Sequence, residues 1–434
     1  MSKIIKGGLF LFLAIFTQIS FAQNYYNSPY TRFGVGDFIN TGFAANRGMG
    51  GTSVALRSHN QVNYLNPASY TSQDTNSFLF QAGFAGRFVE VKTNDNSDQT
   101  NNMNIEYLAI GFPIKKWLSF SVGLVPYSRI QYSYLESYNS ENIGENISFE
   151  QSGFGGFNEF YIGGGATIKE VLSLGLNVKY MFGSLDRTTS SYLTDLQNYS
   201  AKIEKEENLI ASDFYTTLGL QFHPTIKEKH TLIFGATLDA KANIKIKEKS
   251  KIMRFNTASA SRPFTDTVNF ENDTIVEKTF PNKFAVGLSY IYDDKLMATA
   301  EYITQDWSGT EIARSNFKFG NYQSVRVGLE YMPVPFKVKT RENYFKRMRY
   351  RLGGYYTNTY LNYGNENITD RGVTVGLGIP WKNARKVFTG SALNIGYQYG
   401  VRGSTDNGLI KETYHIVTLG LTLHDFWFYK PKYD

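Results

Sequence analysis

From about residue 77 onward the chain repeats one theme: a stretch of alternating apolar and polar residues, then a polar gap. Leu172, Leu174, Leu176, Val178, Tyr180 and Phe182 share one parity, while Ser173, Gly175, Asn177, Lys179 and Gly183 share the other. Strand side chains alternate with period two, so such a segment has one apolar and one polar face. The pattern recurs from Leu118, Phe284, Val325, Leu393 and Val417, and helical spacing fails on all of these segments. Fourteen segments are counted, beginning near Phe78, Asn104, Leu118, Phe149, Leu172, Ala211, Thr231, Val276, Leu296, Tyr322, Met348, Gly372, Leu393 and Thr413.

The connections alternate in length. Quick turns fall at Lys115 and Lys116, Lys169 and Glu170, and Asp293 and Asp294; residues 92–102, 137–146, 190–207 and 248–274 are long and polar. Residues 333–347 should be short by this rule and are not. Short turns on one side and long loops on the other predict a transmembrane β-barrel. The alternative is a soluble barrel or sandwich with its apolar face inside. Against it, the polar faces carry Gly, Ser and Asn, as a lumen does. The apolar faces end in Trp117, Tyr127, Tyr180, Tyr290, Tyr302, Trp307, Tyr331, Tyr397 and Trp427, as an interfacial girdle does. Residues 77–434 are therefore expected to form an all-β, antiparallel, transmembrane barrel of about 14 strands, with the lipid bilayer as its first partner.

Residues 1–22 carry Lys3 and Lys6, an apolar run from Leu9 to Phe16, and Ser20, Phe21 and Ala22. That is the form of a cleaved secretory signal peptide, which points to the outer membrane of a Gram-negative cell. Removing it lowers the net charge from +7 to +5. The remaining cations are scattered rather than gathered into a stripe, which with export argues against a nucleic-acid partner. Of the 434 residues 16% are aromatic, 39 are glycine and none is cysteine, so disulfides and thiolate metal sites are excluded.

Residues 23–76 do not join the rhythm. Their Gly-rich run from Arg47 to Gly51 lacks the Lys and Ser/Thr of a phosphate-binding loop. A fourteen-strand lumen is too wide for its own side chains to fill, and these residues are placed to occlude it.

The Gly-rich run, followed by Asn66, Pro67 and Ala68 just ahead of the first strand, resembles the N-terminal hatch of the FadL family of outer-membrane channels for hydrophobic compounds. The strand from Leu118 to Tyr127 resembles that family's third strand, and the tail from Asp425 to Tyr433 is similar to tails in a less characterised branch. The resemblance implies a hatch inside the barrel and hydrophobic small molecules that leave sideways at a kink in the third strand. Val125, Pro126 and Tyr127 match that kink, and Asn66, Pro67 and Ala68 would touch the gap. Proline removes a ladder donor, so Pro126 either opens the wall or merely ends the strand at the rim. One departure is that residues 137–146 are short and polar, which puts fatty acid as cargo in doubt.

Parity places Lys179, Glu301, Arg326, Glu330 and Arg351 on the inner face, with Glu301–Arg326 and Glu330–Arg351 able to pair across strands. Arg87 is a further inward cation. His59, His223, His230, His415 and His424 show no metal-ligand spacing, and no nucleophile motif occurs. No catalytic residue, metal or cofactor is assigned, and an enzyme is not expected. The expected function is passive, porin-like uptake of small hydrophobic molecules through hatch movement and a lateral opening. The alternative is an accessory barrel bound to other outer-membrane proteins in a larger assembly such as type IX secretion; a plain diffusion porin ranks third.

Overall fold

The computed structural model describes residues 28–39, 41–140, 145–193, 201–227, 229–256, 264–310, 317–335, 344–363, 366–382 and 388–426. The expected signal peptide and Trp427 lie outside them. Fourteen antiparallel strands form the wall: β1 (Ser77–Lys92), β2 (Ser97–Lys115), β3 (Leu118–Ser140), β4 (Glu145–Ile168), β5 (Leu172–Leu193), β6 (Ala201–Phe222), β7 (His230–Asp239 and Ala242–Asn256), β8 (Phe264–Phe280 and Lys283–Tyr292), β9 (Leu296–Asp306), β10 (Asn321–Tyr331), β11 (Arg349–Tyr363), β12 (Glu366–Lys382), β13 (Phe388–Arg402) and β14 (Lys411–Phe426). β14 pairs with β1 from Lys411↔Lys92 to Phe426↔Ser77 and closes the ring. The turns at Lys169 and Glu170 and at Asp293 and Asp294, each in a three-residue loop, have positive φ at both residues, as a tight hairpin turn requires. Among the described residues no helix is long and apolar enough to cross a membrane.

The alternation faces outward with its apolar side. Leu174 and Leu176 are 42% and 43% exposed, whereas Ser173 and Asn177 on either side of them are fully buried. A soluble barrel would show the reverse. In hydrocarbon a ladder that runs around the ring satisfies the backbone N–H and C=O groups of the strands it pairs.

Two sequence expectations are corrected. Where described, the long polar stretches are mostly strand, because the polarity of the wall inverts above the lipid-facing band. On β7, Ile244, Ile246 and Met253 point inward and are buried, while Lys245 is exposed. That outer half of β7 is charged outside and apolar inside, as in a soluble barrel. Trp117, Tyr302, Tyr331 and Tyr397 are exposed as a girdle requires, but Tyr127 and Trp307 are buried inside. Trp307 packs on Phe38, Phe280 and Tyr360 with ring centroids 5.4–5.5 Å apart, at the centre of an apolar core in the outer lumen.

Residues 28–39 and 41–76 lie within the ring. They carry short 3-10 turns at Pro29–Arg32 and Pro67–Ser72, one helical turn α1 (Ala44–Arg47), and an extended pair Asp37–Phe38. Their backbone presses on wall glycines. The Gly50 backbone abuts Gly353 on β11, and Pro67 and Ala68 abut Gly175 on β5, where any Cβ would collide.

Candidate functional site

One seam in the wall is incomplete. β2 and β3 pair from Lys115↔Leu118 to Leu108↔Leu124, and beyond that point no register partner joins them among the described residues. β2 remains paired to β1 as far as Lys92↔Ser97, and β3 to β4 as far as Ser140↔Glu145, so only the face between β2 and β3 opens. A bulge flanks each side. Glu106 is the extra residue on β2, between Gly83↔Tyr107 and Phe84↔Ile105. Tyr127 is the extra residue on β3, between Pro126↔Asn158 and Ser128↔Phe157. Bulges re-aim side chains and terminate pairing, and Pro126 has no N–H to offer. Val125, Pro126 and Tyr127 thus stand at the start of the unpaired stretch, all three buried.

The free edge of β3 is taken from inside. Asp37 and Phe38 pair with Arg129 and Ser128, the Ser28 N–H donates to the Gln131 carbonyl at 3.0 Å, and the Ile39 N–H donates to the Tyr127 carbonyl at 2.9 Å. The seam itself is bridged by charge. Arg129 on β3 donates to Glu106 Oε1 at 2.8 Å and to the Ile105 carbonyl at 3.1 Å, and Arg47 on α1 bonds the other Glu106 oxygen. Glu106 is only 4% exposed. At the outer end of the seam lies a half-open cavity of about 940 Å³, lined by Tyr30, Phe33, Leu135 and Leu409 and equally by the polar Arg32, Asn96, Asp98 and Glu136. That volume suits a small molecule.

Asn66, Pro67 and Ala68 do not reach the seam. Asn66 Nδ2 donates to the Val54 carbonyl at 2.7 Å and to the Leu220 carbonyl of β6 at 3.3 Å, while its Oδ1 accepts the Ala68 N–H at 3.1 Å. The motif is a capped turn seated on the glycines of β4, β5 and β6, because only glycine lets backbone approach backbone so closely. The expectation that it touches the gap is therefore replaced by a docking role.

The lumen charges hold the inner segment. Glu301 and Arg326 stand opposite each other in register, 3.5 Å apart. Glu301 Oε2 also accepts the backbone N–H groups of Ser53 at 2.7 Å and Val54 at 2.9 Å, and Arg326 donates to the Gly51 carbonyl at 3.1 Å. Glu330 meets Arg351 at 2.6 Å and Arg349 at 3.2 Å, and Lys179 meets Glu159 at 3.4 Å. Arg87 lies 4.0 Å from Asp37. Sequence reading missed Glu106, Arg129 and Arg47. The one available signal was the broken alternation at Ile105, Glu106, Tyr107 and Leu108, which a bulge explains.

A family model described as BamG matches residues 1–434. The chain belongs to the BamG family. No curated relative matches the sequence. Among solved structures, a FadL homologue from Pseudomonas aeruginosa aligns at 13% identity with a TM-score of 0.58, over 90% of this chain and 99% of that one. The toluene transporter TbuX of Ralstonia pickettii aligns at 12% identity and 0.58, over 88% and 98%. The toluene transporter TodX of Pseudomonas putida aligns at 15% identity and 0.57, over 89% and 98%. At such identities the likeness establishes the fold, a closed fourteen-strand barrel of the FadL type.

Proposed function

We propose that the chain is an outer-membrane channel through which small hydrophobic molecules pass down their gradient and leave sideways into lipid. The observation that carries this reading is the unpaired stretch of β2 and β3 above Leu108↔Leu124, with a cavity of about 940 Å³ at its outer end. Residues 1–22 are the export signal and residues 23–76 the hatch. Cargo enters the outer cavity against Tyr30, Phe33 and Leu135, and a small displacement of residues 28–39 from β3 opens the seam toward hydrocarbon. The toluene transporters among the structural neighbours make monoaromatic hydrocarbons the first cargo to try. Cells producing the chain should accumulate labelled toluene faster than cells without it, and joining cysteines placed at Glu106 and Arg129 across the seam should abolish the gain while the barrel still folds. Equal accumulation in all three would defeat the proposal.

A second reading, an accessory barrel in a larger outer-membrane assembly, is favoured by one observation. The inner segment is fastened by buried charge at Glu106, Glu301 and Glu330 rather than by contacts that exchange easily. A stoichiometric protein partner retained through mild detergent, together with no uptake, would support it over the channel.

A further inference from the structure

We propose that His59, Asp74 and His424 form a binding site for a divalent transition-metal ion of the zinc type, which fastens the inner segment to the closing strand of the barrel. The proposal goes beyond the channel reading and does not depend on it.

The three side chains come from separate parts of the fold. His59 lies in the loop before the Asn66 turn, Asp74 lies between that turn and β1, and His424 lies on β14 opposite Leu79 of β1. His59 Nδ1 is 3.0 Å from Asp74 Oδ2, and His424 Nε2 is 3.9 Å from the same oxygen. All three donor atoms lie within 4.8 Å of one another. Two ligands on a tetrahedral zinc, with bonds of about 2.0–2.2 Å, stand roughly 3.4 Å apart. The observed separations bracket that value, so small rotations of His59 and Asp74 complete the set.

The scaffold is rigid where a site needs it to be. The Asp74 N–H donates to the His59 carbonyl at 3.2 Å, which ties the two loop ligands together through the backbone. The His424 ring is wholly buried, against Gly390 and Phe426, and the His424 backbone N–H donates to Ser391 Oγ at 2.9 Å, which fixes the strand position that carries the ring. Asn60, next to His59, donates to the Gly390 carbonyl at 2.6 Å, so the loop is clamped to the same strand pair. The His59 and Asp74 side chains are 31% and 37% exposed, which leaves a solvent side for ion entry and a water ligand.

Ligand chemistry selects the metal. Two imidazole nitrogens and one carboxylate oxygen with an open position suit zinc, cobalt(II) or nickel(II), and not calcium or magnesium, which take all-oxygen shells. Such an ion would join residues 59–74 to the β14–β1 closure and oppose withdrawal of the inner segment.

The test uses the full chain in detergent micelles, carrying an affinity tag without histidine and stripped with a chelator. Zinc binding is read by calorimetry and metal content, and cobalt(II) by its visible absorption. The expected result is one zinc per chain, with affinity falling about 100-fold in His59→Gln, Asp74→Asn and His424→Gln, by the loss of a ligand. His230→Gln, whose ring bonds Tyr290, should bind as the parent does. Because His424 is buried and its variant can misfold, the half-exposed His59 and Asp74 variants decide the matter, with folding checked by heat-dependent gel mobility. Zinc should also slow proteolysis of residues 23–76 in the parent and not in those two variants. Binding well below one equivalent, or equal affinity in the parent, His59→Gln and Asp74→Asn, would overturn the proposal and leave a plain His59–Asp74 hydrogen bond.

Discussion

Arg129 on β3 reaches Glu106 on β2 at 2.8 Å, across a stretch where no backbone pairing joins the two strands. A side-chain bridge there replaces the ladder with one contact that can be broken as a unit. Arg47, only 6% exposed, bonds the same carboxylate, so the inner segment and the seam share a single anion.

Replacing Glu106 by Gln should therefore loosen both. Arg47 would be left buried without its counter-charge, and breaking a buried pair in this way destabilises by about 3–5 kcal/mol. Amide hydrogen exchange should rise in residues 97–107 and 28–47 and stay unchanged at the β5–β6 pair. Unaltered exchange at the seam would show that the bridge is not what closes it.

Gly353 on β11 sits against the backbone of Met49 and Gly50. Gly353→Val puts a branched side chain where that backbone runs, with no flexible neighbour to give way. The inner segment should be displaced, leaving a lumen of fourteen strands that its own side chains cannot fill. Planar bilayers should then show steady conductance that the parent lacks. Silence in the variant would mean that the segment is held despite the clash, or that it is not the occlusion.

The His223 imidazole, just beyond the end of β6, titrates at about 4, because burial and then the positive charge of Arg57 disfavour its protonation. In the unfolded chain it titrates near 6.5, at about the ordinary histidine value. Above pH about 6.5 both states are neutral and its contribution to stability is fully present. As pH falls from there toward about 4 the unfolded state takes the proton first, so stability is lost through that window. His223→Gln should remove this part of the acid sensitivity. The urea midpoint of the barrel in vesicles, compared at pH about 7 and about 4.5, should fall less in the variant than in the parent.

The strands were legible wherever one face meets hydrocarbon, because period-two alternation there is uninterrupted: Leu172 to Phe182 reads directly as β5. The outer halves were not, since inward Met253 beside outward Arg254 looks like part of a charged loop when lipid is assumed on the greasy side. Register made Glu301 and Arg326 visible as neighbours, but their grip on the Ser53 and Val54 amides depends on a chain path that no local pattern encodes. Glu106 escaped for a related reason. A bulge shifts parity by one residue, and parity was the ruler.

Lateral release requires the wall to open between β2 and β3, and the cysteine-free chain allows that to be measured directly. Glu106→Cys and Arg129→Cys together replace the ionic bridge with two thiols, which a short, reducible bifunctional reagent can join across the seam. In lipid vesicles containing this variant, toluene entry should be fast with the thiols free, fall to the rate of protein-free vesicles once they are joined, and recover on reduction. Entry at the same rate in all three conditions would place the path elsewhere and contradict lateral release.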